Sequence, residues 1–347
     1  TSSGVLLDNF DIERIEVLRG PQGTLFGKNT TGGILNVIRT PVSLNERGVD
    51  LKLTAGEYGR QDVSAVVQLP IIQDTLGLKL FAAKVEHDGH VRNTTRNEDV
   101  GGDDKTNYGF TALWAPTDNF DLKVHYEVME DTSVQGAYVN RNQVGELACT
   151  LTQIGFDPAN GCEKDANDGP DKTESDGENF SDNDYESTII TANYDTDAFL
   201  YTYIYSNRDM DEQNMQDFDG APVHLLRMNF FNDWEQTSHE FRVTSQFSDK
   251  VQVIAGVYDW EADFEQRWDV YDLFYQLSRL GVPPWGAGRQ GVEGYADVFP
   301  WEDDVAGNNG QAQVTESLAV FASADWYLNE QWMLTLGFRW TEEEKDF

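Results

Sequence analysis

The chain has 347 residues and carries 61 acidic against 25 basic side chains, a formal net charge of −36. That excess argues against a nucleic-acid partner, whose phosphates it would repel. No uninterrupted apolar run approaches the roughly eighteen residues of a membrane helix. With 19 Phe, 14 Tyr and 9 Trp among 39% hydrophobic residues, a membrane β-barrel stays open, because each of its strands alternates apolar and polar positions.

The first element is IERIEVLRGPQGTLFGKNTTGGILNVIRT, Ile12 to Thr40. Two β-prone runs, Arg14–Leu18 and Ile34–Arg39, flank a segment punctuated by Gly20, Gly23, Gly27, Gly32 and Gly33. Glycine admits positive φ and close backbone approach, so the spacing predicts strand, tightly folded loop, strand. Gly23 to Asn29 superficially matches a phosphate-binding loop. That loop needs four residues between its glycines and Ser or Thr after the lysine, whereas three residues and Asn29 stand here. The segment resembles the C-terminal half of the plug domain of TonB-dependent outer-membrane receptors, in which ERIEVLRGP, the LFG turn and GGxxN recur.

Residues 1–47 hold five acidic and five basic side chains, so all the excess charge lies beyond them. The shift predicts a boundary there: residues 1–47 as the C-terminal part of a plug, 48–347 as barrel wall. From Gly48 the pattern turns to period-two alternation. In Gln331–Thr341, Trp332, Leu334, Leu336, Phe338 and Trp340 share one face, and Met333, Thr335, Gly337 and Arg339 share the other. Eleven strands are predicted, near Val49–Glu57, Asp62–Leu69, Leu76–His87, Thr106–Ala115, Phe120–Glu130, Tyr185–Tyr194, Phe199–Arg208, Glu235–Phe247, Val251–Arg267, Thr315–Leu328 and Gln331–Glu342. Their connections alternate between tight turns and long loops, apart from a short first one, as in an outer-membrane barrel. The expected fold is therefore an all-β membrane protein, an antiparallel transmembrane barrel with a partial N-terminal plug.

Eleven strands leave two open edges that lipid cannot satisfy. Receptors of the family that this segment resembles close with 22 strands, so about half of a barrel is expected, and the beginning at Thr1 makes the lack of a targeting segment uninformative. The resemblance implies outer-membrane residence in contact with lipid and energised import through the TonB complex, reached by an N-terminal segment outside this sequence. It implies a ferric siderophore as cargo, with an oligosaccharide or other organic nutrient as the alternative. A passive porin or adhesin barrel, or a secreted soluble β-protein, would not carry the plug motif.

The resemblance also implies that Glu13, Arg14, Glu16 and Arg19 pair with charges inside the barrel as a latch, against static structural pairing as the bland reading. The five glycines are there for backbone geometry. Outer-loop ligand contacts fall to Trp268, Tyr271, Tyr275, Arg279, Trp285, Arg289 and Trp301, since exposed aromatics and Arg supply flat, adaptable contact area. Cys149 and Cys162, with twelve residues between them in a polar stretch, fit a disulfide in an oxidising compartment. No His/Cys pair has zinc-ligand spacing, Asp165 to Gly169 falls one residue short of a calcium-loop register, and the scattered histidines form no catalytic group. Calcium in the acidic stretch Asp157–Glu186 stays open beside the solvated-loop reading; no catalytic group, cofactor or metal ligand is assigned.

Overall fold

The computed structural model describes residues 10–136, 138–139, 171–221, 226–245, 248, 250–271 and 305–347. The elements begin with β1 (Ile12–Arg19), α1 (Gly23–Phe26) and β2 (Gly33–Arg39). There follow β3 (Gly48–Ala55), β4 (Gln61–Ile72), β5 (Leu76–His87), β6 (Val91–Asn93), β7 (Glu98–Val100), β8 (Asp103–Thr117), β9 (Phe120–Asp131) and β10 (Lys172–Thr173). The last are β11 (Phe180–Asp195), β12 (Phe199–Asp217), β13 (Arg227–Ser245), β14 (Val251–Tyr271), β15 (Val305–Asn329) and β16 (Trp332–Asp346). β1 and β2 pair antiparallel as a separate hairpin. Eleven strands form one sheet in the order β3-β4-β5-β8-β9-β11-β12-β13-β14-β15-β16, and the short β6, β7 and β10 form a third. No helix among the described residues is long and apolar enough to cross a membrane.

Every large-sheet pairing is antiparallel between chain neighbours. Tight connections, such as Asp118–Asn119 and Thr196–Ala198, lie at one end. The longer ones lie at the other, where β6, β7 and β10 sit between larger strands. β14 and β15, at 21 and 25 residues, are about twice the length that a tilted strand needs to span the bilayer. They must project beyond it.

The two faces of the sheet differ as period-two patterning requires. One face leaves Leu51, Leu53, Tyr203, Phe241, Val257, Val320, Leu336 and Phe338 exposed, a continuous apolar band of the kind lipid covers. Further along the same face, cross-strand register lines up Glu130, Asp184, Asp211, Asp233 and Glu265 in one row and Glu186, Asp209, Glu235 and Asp263 in the next. Like charges directly opposite one another destabilise a sheet, so these rows are tolerable only in water. They mark where the strands leave the apolar zone. Much of the chain's negative charge therefore sits on strands.

The same fact accounts for the boundaries. Leu76–His87 and the start at Phe199 coincide with expectation, but β12 runs on to Asp217 and β13 begins at Arg227. The expected long loop at 209–234 shrinks to nine residues, 218–226. Alternation persists through this polar stretch, and hydrated carboxylates do not end a ladder. In the β1–β2 hairpin the loop holds one helical turn, Gly23–Phe26.

Candidate functional site

The hairpin lies against the opposite, inner face of the large sheet and is attached at both its ends. At the root, where the chain enters β1 and leaves β2, Lys79 of β5 donates to Asp11 Oδ2 at 2.6 Å and to the Thr40 carbonyl at 2.6 Å. The Lys79 and Asp11 side chains are 1% and 0% exposed. Thr40 Oγ1 donates to the other Asp11 oxygen. Asp11 has φ +54°, a region that Asp tolerates better than most residues. Beside it Arg39 donates to Glu127 of β9, which also accepts from Asn107 Nδ2 at 2.8 Å. Phe10 packs on Phe81 at 6.1 Å, and Phe81 stacks on His125 at 5.6 Å. The Arg39 guanidinium lies 5.3 Å from the Phe81 ring centre. Unpaired buried charge is costly, and here each charge has a partner.

The tip is held differently. Lys28 Nζ pairs with Glu343 of β16, at side-chain exposures of 51% and 25%, and stands 4.5 Å from the Trp260 ring centre. Register places Trp260, Ser317 and Glu343 on one row across β14, β15 and β16, so one ammonium bridges two positions of a single row. Gly27 has φ +75°, and a Cβ there would sit 3.1 Å from the Arg339 guanidinium. Within the hairpin Gly33, at φ +135°, would place a Cβ 2.3 Å from the Leu18 carbonyl oxygen, so only glycine closes β1 on β2.

Along the inner face beyond Trp260 lies a cavity of about 410 Å³. One row of its lining is Met210, Trp234, Phe264 and Gln313 on β12 to β15. The next is Glu212, Asn232 and Gln266, an amide ladder that runs on past the cavity to Gln311: Asn232 Nδ2 donates to Glu212 at 3.0 Å, Gln266 Nε2 to Asn232 at 2.8 Å, and Gln311 Nε2 to Gln266 at 3.1 Å. Outside the membrane, in the 218–226 connection, Asp219 accepts from the backbone N–H groups of Ala221 and Leu226. Burial and the neighbouring Asp217 carboxylate push the Asp219 pKa up to about 8.

Arg14 pairs with Glu13 at 3.0 Å and Glu16 at 2.8 Å, all three well exposed. Hydrogen bonds from Arg14 and Asn36 hold the Glu16 carboxyl below its usual range. Arg19 ends β1, opposite Gly33. The contacts with the large sheet run instead through Asp11, Lys28, Arg39 and Thr40, which sequence reasoning passed over. An inward lysine, Lys79 between Leu78 and Leu80, was the available signal. Gly20, Gly27 and Gly33 have positive φ, while Gly23 and Gly32 do not. Trp268 is 36% exposed on β14, and the β14 ladder ends at Tyr271, opposite Val305. Tyr275, Arg279, Trp285, Arg289, Trp301, Cys149 and Cys162 lie outside the described residues. His125 faces the inner side, 3.4 Å from Glu127. Among the described residues no three His, Cys, Asp or Glu cluster as a metal site.

The TonB-dependent receptor plug domain matches residues 2–34. Pesticin receptors of Yersinia enterocolitica and Yersinia pestis are 28% and 27% identical over 153 residues, 43% of this chain and 22% of theirs. The ferric yersiniabactin uptake receptor of Yersinia pestis superposes with a TM-score of 0.73 at 17% identity, covering 96% of this chain and 45% of that one. The ferripyoverdine receptor of Pseudomonas aeruginosa does so at 0.68 and 12%, covering 97% and 42%. At these identities the structural likeness is one of fold. The chain spans under half the length of each of these receptors.

Proposed function

The chain belongs to the TonB-dependent outer-membrane receptor family, and from that premise we propose that it imports a bulky, scarce nutrient across the outer membrane, a ferric siderophore foremost. The observation that carries the reading is the plug hairpin seated on the inner face of a membrane-type sheet, by a buried root and an exposed tip. A passive pore has no use for such a seat.

In this reading residues 1–47 belong to the plug and 48–347 to the barrel wall, whose apolar band contacts lipid. The stretch from Trp268 to Trp301 captures ligand at the outer surface, with its rings as contact area. The plug blocks leakage until the TonB complex pulls on it. The solvated Lys28–Glu343 pair yields before the buried Lys79–Asp11 pair, because water replaces the partners of an exposed charge and cannot reach those of a buried one. The plug then swings on its root and opens a path beside β14 to β16. Glu13, Arg14, Glu16 and Arg19 are the charges that re-pair as it moves. The family consists of receptors and transporters, so no catalytic step is assigned. Known ferric-chelate receptors with this fold support the same cargo class here.

The test is uptake of radiolabelled ferric chelates by cells carrying the intact gene, with and without TonB, alongside transcript levels under an iron chelator. Induction by iron starvation and TonB-dependent uptake are expected. A flat transcript response with no iron uptake would move the assignment to an organic nutrient. Free ion conduction by the purified, reconstituted receptor would end the plugged-importer account.

A further inference from the structure

Beside the plug root stands a wall group whose charge is set by proton concentration. Register places Lys79, Thr111 and His125 on one inner row across β5, β8 and β9, and Phe81, Gly109 and Glu127 on the next. The His125 and Glu127 side chains are each 12% exposed. His125 Nδ1 lies 2.9 Å from Thr111 Oγ1, and its Nε2 lies 3.4 Å from Glu127 Oε2. The ring stacks on Phe81 with 17° between the planes. Gly109 makes room for that stack, since a Cβ there would sit 2.7 Å from the Phe81 ring. Glu127 divides its oxygens: Oε1 accepts from Arg39 and from Asn107, and Oε2 faces His125. One wall carboxylate is thus shared between a cation that belongs to the plug and an imidazole that belongs to the wall.

Charge balance gives the sharing a consequence. In the neutral ring Nε2–H points at Glu127 and Nδ1 accepts from the Thr111 hydroxyl. Arg39 then balances Glu127, and Lys79 balances Asp11. On the same face of β9, Lys123 is exposed, Asp121 accepts from Asn193, and Asp131 accepts from Ser133. β8 presents Thr111 and Asn107, and β11 presents Ile189 opposite His125, flanked by Ser187 and Thr191. None of these is ionisable. An imidazole changes its charge between about pH 8 and pH 5. Once His125 is protonated, Nδ1–H donates to Thr111 Oγ1, and Nε2–H answers Glu127 with a full charge. Two cations then face one sheltered carboxylate, and uncompensated buried charge is costly. Lys79 is built into the wall. Arg39, 28% exposed on the hairpin, is the cation that can withdraw to water.

We propose that His125 is a positioning residue for the plug seat: neutral, it holds Glu127 ready for Arg39, and protonated, it takes that carboxylate over and frees Arg39. This rests on residues 1–47 being plug, as in the import reading, and adds a proton as regulator of the seat. Arg39 opposes the protonation of His125 while the plug is seated, so the unseated state binds the proton better. By linkage the seat is firm at neutral pH and weakens as pH falls through the imidazole range. The Lys79–Asp11 pair stays, so acid loosens one side of the root without detaching the plug.

The experiment is hydrogen exchange of the β2 amides next to Arg39, in receptor purified from outer membranes in detergent. Protection, corrected for the intrinsic pH dependence of exchange, is compared at about pH 7.5 and about pH 5.5, either side of the imidazole range. It is expected to fall roughly tenfold in acid, the scale of one hydrogen bond to a charged group. His125→Gln keeps a donor and an acceptor but takes no proton, and should hold the neutral-pH protection at both values. His125→Lys, cationic at both, should show the acid level at both. A ring needed only for packing would not separate these two variants. Arg39→Ala should give low protection at both values, because the interaction that the proton competes with is gone. The same acid fall in His125→Gln, or a rise in protection of the unmodified receptor in acid, would overturn the proposal. TonB-dependent uptake of a ferric chelate is measured alongside. Intact uptake with a flat protection profile would remove this proposal alone, and a responsive profile without uptake would uphold it and remove the import reading alone.

Discussion

The plug hairpin is joined to the wall at two places about which the same words could be used: a lysine, a carboxylate and an aromatic ring. They are physically unlike. At the root, Lys79 and Asp11 are both out of contact with water, locked by Thr40 and flanked by the Arg39–Glu127 pair and the Phe10–Phe81–His125 stack. At the tip, Lys28 and Glu343 are wet. Removing one partner of a buried pair costs about 3–5 kcal/mol, while an exposed pair is worth about 0–1 kcal/mol. The two attachments are thus built from similar parts and differ in burial and in the number of partners that hold each charge.

The comparison is broken most directly at Lys79. Lys79→Met should destabilise the plug seat by about 3–5 kcal/mol, because Asp11 is left charged and dry. Hydrogen exchange of the β1–β2 amides should rise and the urea midpoint should fall. Pairing it with Asp11→Asn should recover most of the loss, since the uncompensated charge is gone and Asn tolerates the positive φ. If the single variant loses no more than a tip variant, the distinction between root and tip does not hold.

Arg39→Ala sharpens the same point at smaller scale. It removes a hydrogen bond to Glu127 and a guanidinium over two rings, yet leaves Asn107 donating to that carboxylate. A loss of about 1.5–3 kcal/mol is expected, the range for hydrogen bonds to charged groups. The check is thermal unfolding in detergent, with Arg39→Lys restoring less than half, because a point charge cannot reproduce the planar contact.

How much of this could be read beforehand varies with its physical origin. Strand order, inner and outer parity and the strand–loop–strand plug follow from period two and from glycine, which are local. Leu76–His87 was legible to the residue. The outward extension of β12 and β13 was not, because rows of carboxylates resemble a loop until cross-strand register shows them to be one wet face. The two- and three-residue strands β6, β7 and β10 are too short to display any period. Least legible were the plug contacts. Lys79 meets a residue 68 positions away and Lys28 one 315 positions away, and nothing local announces either. Glu127 and His125 share one parity of β9, which period two makes legible, but Arg39 as the partner of Glu127 needed the fold.

The finest test acts on the tip. Gly27→Ala must hold φ +75° and ψ −147°, a region essentially reserved for glycine, at about 1–3 kcal/mol, and pushes a methyl toward the Arg339 guanidinium, a flexible group that can yield. Lys28→Met gives up only the exposed pair and the indole contact, for about 0–1 kcal/mol. Neither should lower the urea midpoint as far as Lys79→Met does. Both should speed exchange at the amides of residues 23–30 while those of β1 and β2 next to the root stay protected. That pattern, local loosening without loss of the seat, is what a hinge with one free end requires. Uniform exchange along the hairpin in Lys28→Met would mean that the plug lifts as a single body, and the root would then be one more contact and not a pivot.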